Sequence, residues 1–289
     1  MSKKIIKQAI KRILPKKKDI KISLFIVGAQ KAGTSALHNY LIKHKEIQGG
    51  VQKELNFFNY KENFDQGTKF YHSKFKPVLF YKPDPIRIDS TPQYLMDNEI
   101  AKRIYAYNPN SKIVILLREP TSRAFSAWNM YKQFSELSIE NKKQLIKDNV
   151  SISNTRHFKE LINSKPFPSF DEFVEREINS NTKDGVFPNV LRRGLYADQV
   201  KAYIDCFGVN NVMVFESHYF RKHKIQVTNK ILDVLQLSHL QIEDNQFKDV
   251  HVRTYEKPIK DSTKKRLIAY YKLHNEELFK LINQRFNWY

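Results

Sequence analysis

ISLFIVGAQKAGTSALHNYL, at residues 22–41, is the stretch of the chain that decides the fold. Residues 22–28 form a nearly continuous apolar run that ends in a glycine, which predicts a buried strand. Residues 32–44 place their apolar side chains on one helical face, and Thr34 and Ser35 are favourable first-turn residues. A strand, a glycine-containing loop and a helix make the first half of a βαβ unit.

The same alternation continues along the chain. Further strands are predicted at residues 86–90, 112–118 and 211–217, and helices from about Thr121 and at residues 170–178, 197–207, 226–237 and 264–282. This order predicts one α/β domain, residues 21–289, with a mainly parallel central sheet flanked by helices and a ligand site beyond the carboxyl ends of its strands. Residues 131–165 are polar without a clear period and predict an irregular insertion or a surface helix.

Composition limits the class of protein without selecting its ligand. The 289 residues are 41% hydrophobic, enough for a packed core, which excludes a disordered chain. The formal net charge of +20 attracts polyanions: nucleic acid, an acidic membrane face, phosphate-bearing cofactors or acidic polysaccharides. A single cysteine, Cys206, excludes an internal disulfide and agrees with a reducing compartment, so a cytoplasmic location is expected.

Residues 1–20 form a basic N-terminal segment in which apolar residues recur at helical spacing between lysines and arginines. One interpretation is a helix that lies on anionic lipid through residues 1–18, at the inner face of the membrane. The alternatives are a first helix packed on the domain, or a frayed basic tail. The chain has no run of roughly 18 apolar residues, so no transmembrane helix is expected.

The loop between the first strand and helix, GAQKAGTS at residues 28–35, has the spacing of a phosphate-binding loop. A nucleoside triphosphatase would carry the pattern GxxxxGK[ST]. Here Gly28 and Gly33 have the correct separation, but Thr34 stands where that lysine belongs, and Lys31 lies three residues earlier. The pattern disfavours a kinase or ATPase and leaves two interpretations, a loop for a shorter phosphate group or a simple glycine turn.

GAQKAGTSAL, at residues 28–37, resembles the 5′-phosphosulfate loop of sulfotransferases that use 3′-phosphoadenosine-5′-phosphosulfate (PAPS). LLREPTSRAFSAW, at residues 116–128, resembles the 3′-phosphate segment of the same family, and HVRTYEKP, at residues 251–258, aligns loosely with its basic cofactor loop. The resemblance implies that PAPS is bound and PAP is released without a metal. The implied ligands are Lys31, Ala32, Gly33, Thr34, Ser35, Arg118, Ser126, Arg253 and Thr254.

Other segments resemble the heparan sulfate and carbohydrate sulfotransferases and their bacterial relatives. They are KELNFF at 53–58, DSTPQY at 89–94, LRRGLYADQVKAYIDCFG at 191–208 and the final FNWY. The resemblance implies in-line transfer of a sulfuryl group to a hydroxyl or amine of a carbohydrate, with Glu54 as general base and Lys31 at the leaving group. It also implies that Lys53, Arg193 and Tyr196 contact the acceptor. Burial beside Phe57 and Phe58 is expected to raise the pKa of Glu54.

The sequence departs from the family pattern at two positions. Asn56 stands where relatives often have histidine, and Cys206 alone cannot form the disulfide of the Golgi members. These departures leave the acceptor open. Within the family the alternative acceptor is a small molecule or lipid. Outside it, the alternatives are a basic nucleic-acid-binding protein, for which no recognition segment is present, and a nucleotide-binding kinase. The partner expected here is a glycan and not nucleic acid, and the positive charge of the chain agrees with an acidic glycan.

Overall fold

The computed structural model describes residues 19–79, 82–148, 156–179, 189–241 and 258–289. The predicted membrane segment, residues 1–18, lies outside these ranges, as do the predicted cofactor ligands Arg253 and Thr254.

A five-stranded sheet lies at the centre of the molecule, and all its strand pairs are parallel. The strands are β1 (Ile22–Gly28), β2 (Ile47–Gly49), β3 (Ile86–Ser90), β4 (Lys112–Leu117) and β5 (Val212–Glu216). Their order across the sheet is β2-β3-β1-β4-β5. The prediction of a single α/β domain with a parallel sheet is confirmed.

Twelve helices lie in the described ranges. They are α1 (Thr34–Leu41), α2 (Lys61–Phe64), α3 (Gly67–Ser73), α4 (Asn98–Tyr107), α5 (Pro120–Ser135), α6 (Ile139–Asp148), α7 (Arg156–Asn163), α8 (Phe170–Asn179), α9 (Tyr196–Phe207), α10 (Ser217–Lys222), α11 (Lys224–Val234) and α12 (Asp261–Leu281). None of the helices in these ranges is long and apolar enough to cross a membrane.

The strand order places a crevice at the carboxyl ends of β1 and β4. From β1 the chain moves to β2 and β3 on one side, and later from β4 to β5 on the other side. The connections after the two central strands therefore diverge, and such a switch point is where parallel sheets bind ligands. The backbone N–H of Ala29 donates to the carbonyl of Leu116 at 2.5 Å, which continues the contact between the two strands beyond β1.

Two apolar clusters support this edge. The larger surrounds the sheet, and at its centre Phe58 is fully buried within a group of aromatic rings. The rings closest to Phe58 are those of Phe57, Tyr71, Tyr107, Tyr94 and Phe25, at centroid distances of 4.9, 5.3, 5.5, 5.7 and 5.9 Å. The second cluster joins α5, α7, α8 and α12.

The prediction for residues 131–165 needs correction. This stretch contains the end of α5 and the helices α6 and α7. Tyr131, Phe158 and Ile162 are buried in the second cluster, so the segment is not only a surface helix or an irregular insertion. Five elements escape prediction from the sequence: β2, α2, α3, α4 and α10.

The aromatic group predicts a strong dependence on one ring. Phe58→Ala should lower the free energy of unfolding by about 3–5 kcal/mol, because it leaves a cavity that five neighbouring rings cannot fill. Tyr105→Ala is the matched control, since Tyr105 is 43% exposed and should lose about 1 kcal/mol or less. Urea unfolding measures both, and similar losses in the two variants would contradict the packing described.

Candidate active site

The loop between β1 and α1 is shaped to receive an anion. Gly33 is the N-cap residue of α1 with φ of 104°, a conformation that favours glycine, and no side chain caps this helix in the described structure. The first N–H groups of α1 and the positive end of its dipole thus point to one place. Lys31 also has a left-handed backbone, with φ of 70°, a conformation that costs about 1 kcal/mol and concentrates at functional sites.

Gly28 allows the loop to approach its neighbours closely. A β-carbon at Gly28 would lie 2.6 Å from the β-carbon of Leu95, so a side chain there would force the structure to shift. On the other side of the loop, the Ser217 hydroxyl at the start of α10 donates to the Ala32 carbonyl at 2.7 Å. The loop is therefore held between β1, the segment after β3 and the segment after β5.

Arg118 joins the two segments that resemble the donor-binding motifs. It follows β4, and its Nη1 donates to the carbonyl of Lys31 at 3.2 Å. Tyr196 lies behind it, almost fully buried, and donates its hydroxyl to the Arg118 carbonyl at 2.9 Å. Glu119 accepts from the N–H groups of Thr121 and Ser122 at 2.7 Å each, so it caps α5. The Arg118 guanidinium, after β4, thus contacts the loop after β1.

A third cation approaches the same loop. Arg193 donates from Nη1 to Oε1 of Gln30, the residue before Lys31, at 3.3 Å. Gln30 is also hydrogen-bonded to the Tyr131 side chain. Burial raises the pKa of Tyr131, and the charges of Arg193 and Arg123 oppose that rise. Arg118 and Arg193 therefore both donate to the loop before α1, at Lys31 and at Gln30.

The segment KELN, at residues 53–56, carries the carboxylate assigned as general base. Glu54 has φ of 64° and Asn56 has φ of 51°, so two residues of this short loop lie in the left-handed region. Asn56 donates its side-chain N–H to the Glu54 carbonyl at 2.9 Å, which gives a structural role to the residue that departs from the family pattern. Lys53 donates to Glu54 Oε1 at 2.9 Å. The Glu54 side chain is 39% exposed, so its expected burial beside Phe57 and Phe58 is wrong.

The buried carboxylate of Asp89 connects this segment to the sheet through hydrogen bonds. Asp89, at the end of β3, accepts hydrogen bonds from Tyr71, Thr91 and Tyr94 at 2.6, 2.7 and 2.9 Å. Tyr94 in turn accepts the N–H of Phe57 at 2.9 Å. Burial raises the pKa of Asp89, and its three hydrogen bonds and the Lys53 ammonium partly offset that rise. The network connects β3 to the loop that presents Glu54.

A buried histidine lies next to the same network. The Nδ1 atom of His38, on α1, is 2.8 Å from the Ser90 hydroxyl. Burial lowers the pKa of His38 to about 4, and the nearby Lys53 ammonium adds to this effect. His38 is therefore neutral near pH 7 and serves as a hydrogen-bonding partner, not as a cation.

The structure brings together only part of the predicted ligand set. Lys31, Ala32, Gly33, Thr34, Ser35 and Arg118 lie at the crevice, and Arg193 contacts the same loop through Gln30. Ser126 lies on α5 and is buried, as Thr34 is. Arg253 and Thr254 are outside the described residues. Sequence reasoning did not select Gln30, Asp89 or Ser217. Gln30 and Asp89 lie inside quoted motifs, but no motif marks Ser217. No group of three or more histidine, cysteine, aspartate or glutamate side chains in the described ranges has the arrangement of a metal site.

Comparison with known proteins identifies the family. The model of the sulfotransferase domain matches residues 21–280. A crystal structure of a sulfotransferase from Alicyclobacillus acidocaldarius is similar with a TM-score of 0.66 and 25% identity, over 93% of this chain and 99% of that one.

Two curated relatives are similar over different shares of the chain. The membrane-associated sulfotransferase kil1 of Dictyostelium discoideum is 22% identical over 92% of this chain. Heparan sulfate glucosamine 3-O-sulfotransferase 5 of Homo sapiens is 33% identical over 40% of this chain. The matches span 66% and 35% of the lengths of these relatives. Since the family model covers most of the chain and the crevice lies where the fold binds its ligand, the protein belongs to the sulfotransferase domain family.

Proposed function

We propose that the protein transfers a sulfuryl group from PAPS to a hydroxyl or amine of a carbohydrate. The observation that carries this proposal is the contact between Arg118 and the Lys31 carbonyl at the switch point of the sheet. It places two cation-bearing segments side by side, as a donor with a 5′-phosphosulfate and a separate 3′-phosphate requires. A triphosphate would need a lysine at position 34, which is threonine.

The residues at the crevice fit such a donor. The N–H groups of residues 32–35 and the Thr34 and Ser35 hydroxyls suit the 5′-phosphate at the start of α1. Arg118 suits a dianionic 3′-phosphate because its guanidinium forms charge-assisted and bidentate contacts. Ser126 is assigned to the same phosphate. Arg253 and Thr254 stay predicted ligands, since they lie outside the described residues.

When bound, PAPS supplies the sulfuryl group, which passes in line to the acceptor oxygen or nitrogen while PAP leaves with the bridging oxygen. Glu54 acts as general base and takes the proton of the attacking hydroxyl or amine. Because Lys53 already donates to its Oε1 atom, the Oε2 atom takes the proton. The left-handed backbone at Glu54 and the Asn56 contact to its carbonyl hold this carboxylate in place before the acceptor arrives.

Lys31 stabilises the negative charge that develops on the bridging oxygen. Its backbone is fixed by the Arg118 contact and by the turn into α1, so the side chain starts from a defined position beside the loop. In the structure, its Nζ lies 3.9 Å from the Met130 sulfur on α5. The side chain therefore extends along the crevice towards the helix that carries Ser126.

A carbohydrate acceptor is supported by two observations. Among the relatives are enzymes named for heparan sulfate, and the formal charge of +20 favours an acidic glycan. Lys53 is assigned to the acceptor side. Tyr196 is assigned to support Arg118, since its hydroxyl is engaged there, and Arg193 is assigned to the phosphate loop, since its guanidinium donates to Gln30. Contact of residues 1–18 with a membrane surface, in the cytoplasm, stays a prediction from the sequence.

Glu54→Gln tests the general base. Transfer should fall by about 10²–10⁴-fold while PAP affinity stays unchanged, because the amide keeps the shape but cannot take the proton. The assay uses labelled PAPS and the best acceptor from a panel of glycans and small hydroxyl compounds. Glu99→Gln is the matched control, since Glu99 forms a similar pair with Lys102 at 2.5 Å on the surface. Retention of more than a tenth of the turnover in Glu54→Gln would exclude this role.

Lys31→Ala tests the charge at the leaving group. The fall in kcat should exceed the rise in KM for PAPS, because the ammonium stabilises the transition state more than the bound donor. Lys31→Arg should not restore kcat, since a planar guanidinium does not replace a compact ammonium in this loop. Lys45→Ala, an exposed change beyond the end of α1, serves as the control. A raised KM with unchanged kcat would reduce Lys31 to a binding residue.

A further inference from the structure

Side chains from four helices hold one short turn, residues 190–194, beside the phosphate loop. Every partner is a side chain that bonds to the backbone of this turn or of Leu195. Glu177 on α8 accepts from the N–H groups of Leu191 and Arg192 at 2.6 and 3.2 Å. Arg123 on α5 donates to the Val190 carbonyl, and Tyr271 on α12 donates to the Leu191 carbonyl at 2.9 Å. Gln199 on α9 donates to the carbonyls of Arg192 and Leu195 at 3.3 and 2.8 Å. The turn is thus fixed from several sides.

The turn presents Arg193 to the phosphate loop. The backbone of Arg193 lies between the groups held by Glu177 and Gln199, and its Nη1 reaches Gln30 Oε1 at 3.3 Å. Gln30 directly precedes Lys31. The position of the Arg193 charge relative to the crevice therefore depends on the position of the turn.

Two of the groups that hold the turn, Arg123 and Glu177, are buried side chains that can carry a charge. Arg123 is fully buried, and its Nε and Nη1 atoms have no hydrogen-bond partner among the described residues. Glu177 is 8% exposed, and the positive charge of Arg123 acts to lower the pKa of its carboxyl group. Tyr131, Tyr270 and Tyr271 also face the Glu177 charge.

Ionised Glu177 lowers stability near neutral pH. Burial raises its pKa to about 7, although the N–H groups of residues 190–192 and the Arg123 guanidinium oppose the rise. Between its ordinary value of 4.5 and about 7, the folded state keeps a proton that the unfolded chain has lost. Stability from this group therefore falls as pH rises through that window. A buried carboxylate with such a cost is a candidate for a functional role.

We propose that Glu177 is a positioning residue that fixes the 190–194 turn and so keeps Arg193 at the phosphate loop, where its guanidinium meets the anionic donor. The inference rests on the proposed function, because the donor is PAPS. Glu177 itself touches neither donor nor acceptor. Its effect on binding must therefore pass through Arg193, which makes the two residues energetically coupled.

The test is a double-mutant cycle of Glu177→Gln and Arg193→Ala, with PAP affinity measured by isothermal titration calorimetry. Glu177→Gln should weaken PAP binding about ten-fold, the size of a weakened charge-assisted contact. The same change in the Arg193→Ala background should have little effect. Glu175→Gln, an exposed change on the same helix, is the control and should leave affinity unchanged.

Thermal unfolding without ligand shows whether each variant is folded. Should Glu177→Gln fail to fold, Tyr271→Phe removes one hydroxyl from the same turn and should weaken PAP binding two- to five-fold, again only when Arg193 is present. Unchanged PAP affinity in the folded variant, or an equal loss in the Arg193→Ala background, would overturn the inference. Absence of PAP binding by the wild type would instead contradict the proposed function.

Discussion

The contact between β1 and β4 is the constraint on which the rest of the site depends. These strands lie side by side, and beyond β1 the N–H of Ala29 still bonds to the Leu116 carbonyl of β4. Their connections then leave in opposite directions, so the loop before α1 and the residues before α5 share one crevice. Arg118 closes this arrangement by its bond to the Lys31 carbonyl. Without the pairing, neither cation would have a defined place relative to the other.

Several residues around this crevice have unfavourable backbone conformations or buried carboxyl groups. Lys31 and Glu54 both have left-handed backbones, and Asp89 and Glu177 are carboxyl groups whose pKa values are raised by burial. Hydrogen bonds hold both carboxyl groups: Asp89 accepts from Tyr71, Thr91 and Tyr94, and Glu177 accepts from the N–H groups of Leu191 and Arg192. Asp89 supports the loop of Glu54, whereas Glu177 supports the turn of Arg193. The aromatic group around Phe58 supplies the apolar packing beneath the first of these networks.

The parts of the fold that could be predicted are those with a long, uniform pattern. β1 and β4 are continuous apolar runs, and α9 and α12 have clear helical periods, so their bounds agree with prediction within a few residues. β2 has three residues, which are too few to show a strand pattern. α7 is mostly polar, so its two buried residues, Phe158 and Ile162, do not make a recognisable helical period.

The same division applies to the site. Motif resemblance selected Lys31 and Arg118, but only the fold shows that Arg118 bonds to the Lys31 carbonyl. The exposure of Glu54 could not be read from its apolar neighbours, because Phe57 and Phe58 turn inwards while its carboxylate turns out. Glu177 stands at the helical spacing of Phe170 and Val174, so the period of α8 places it on the buried face. Only the structure shows that its carboxylate accepts from the N–H groups of Leu191 and Arg192.

We expect this crevice to receive the 5′- and 3′-phosphates of one nucleotide. Phosphorus NMR of PAP can follow both phosphates at once, because they give separate resonances in the same sample. Both resonances should shift on addition of the protein, and Arg118→Ala should abolish the shift of the 3′-phosphate while the 5′-phosphate still responds. A wild-type spectrum in which only the 5′-phosphate resonance moves would mean that the crevice does not bind the 3′-phosphate.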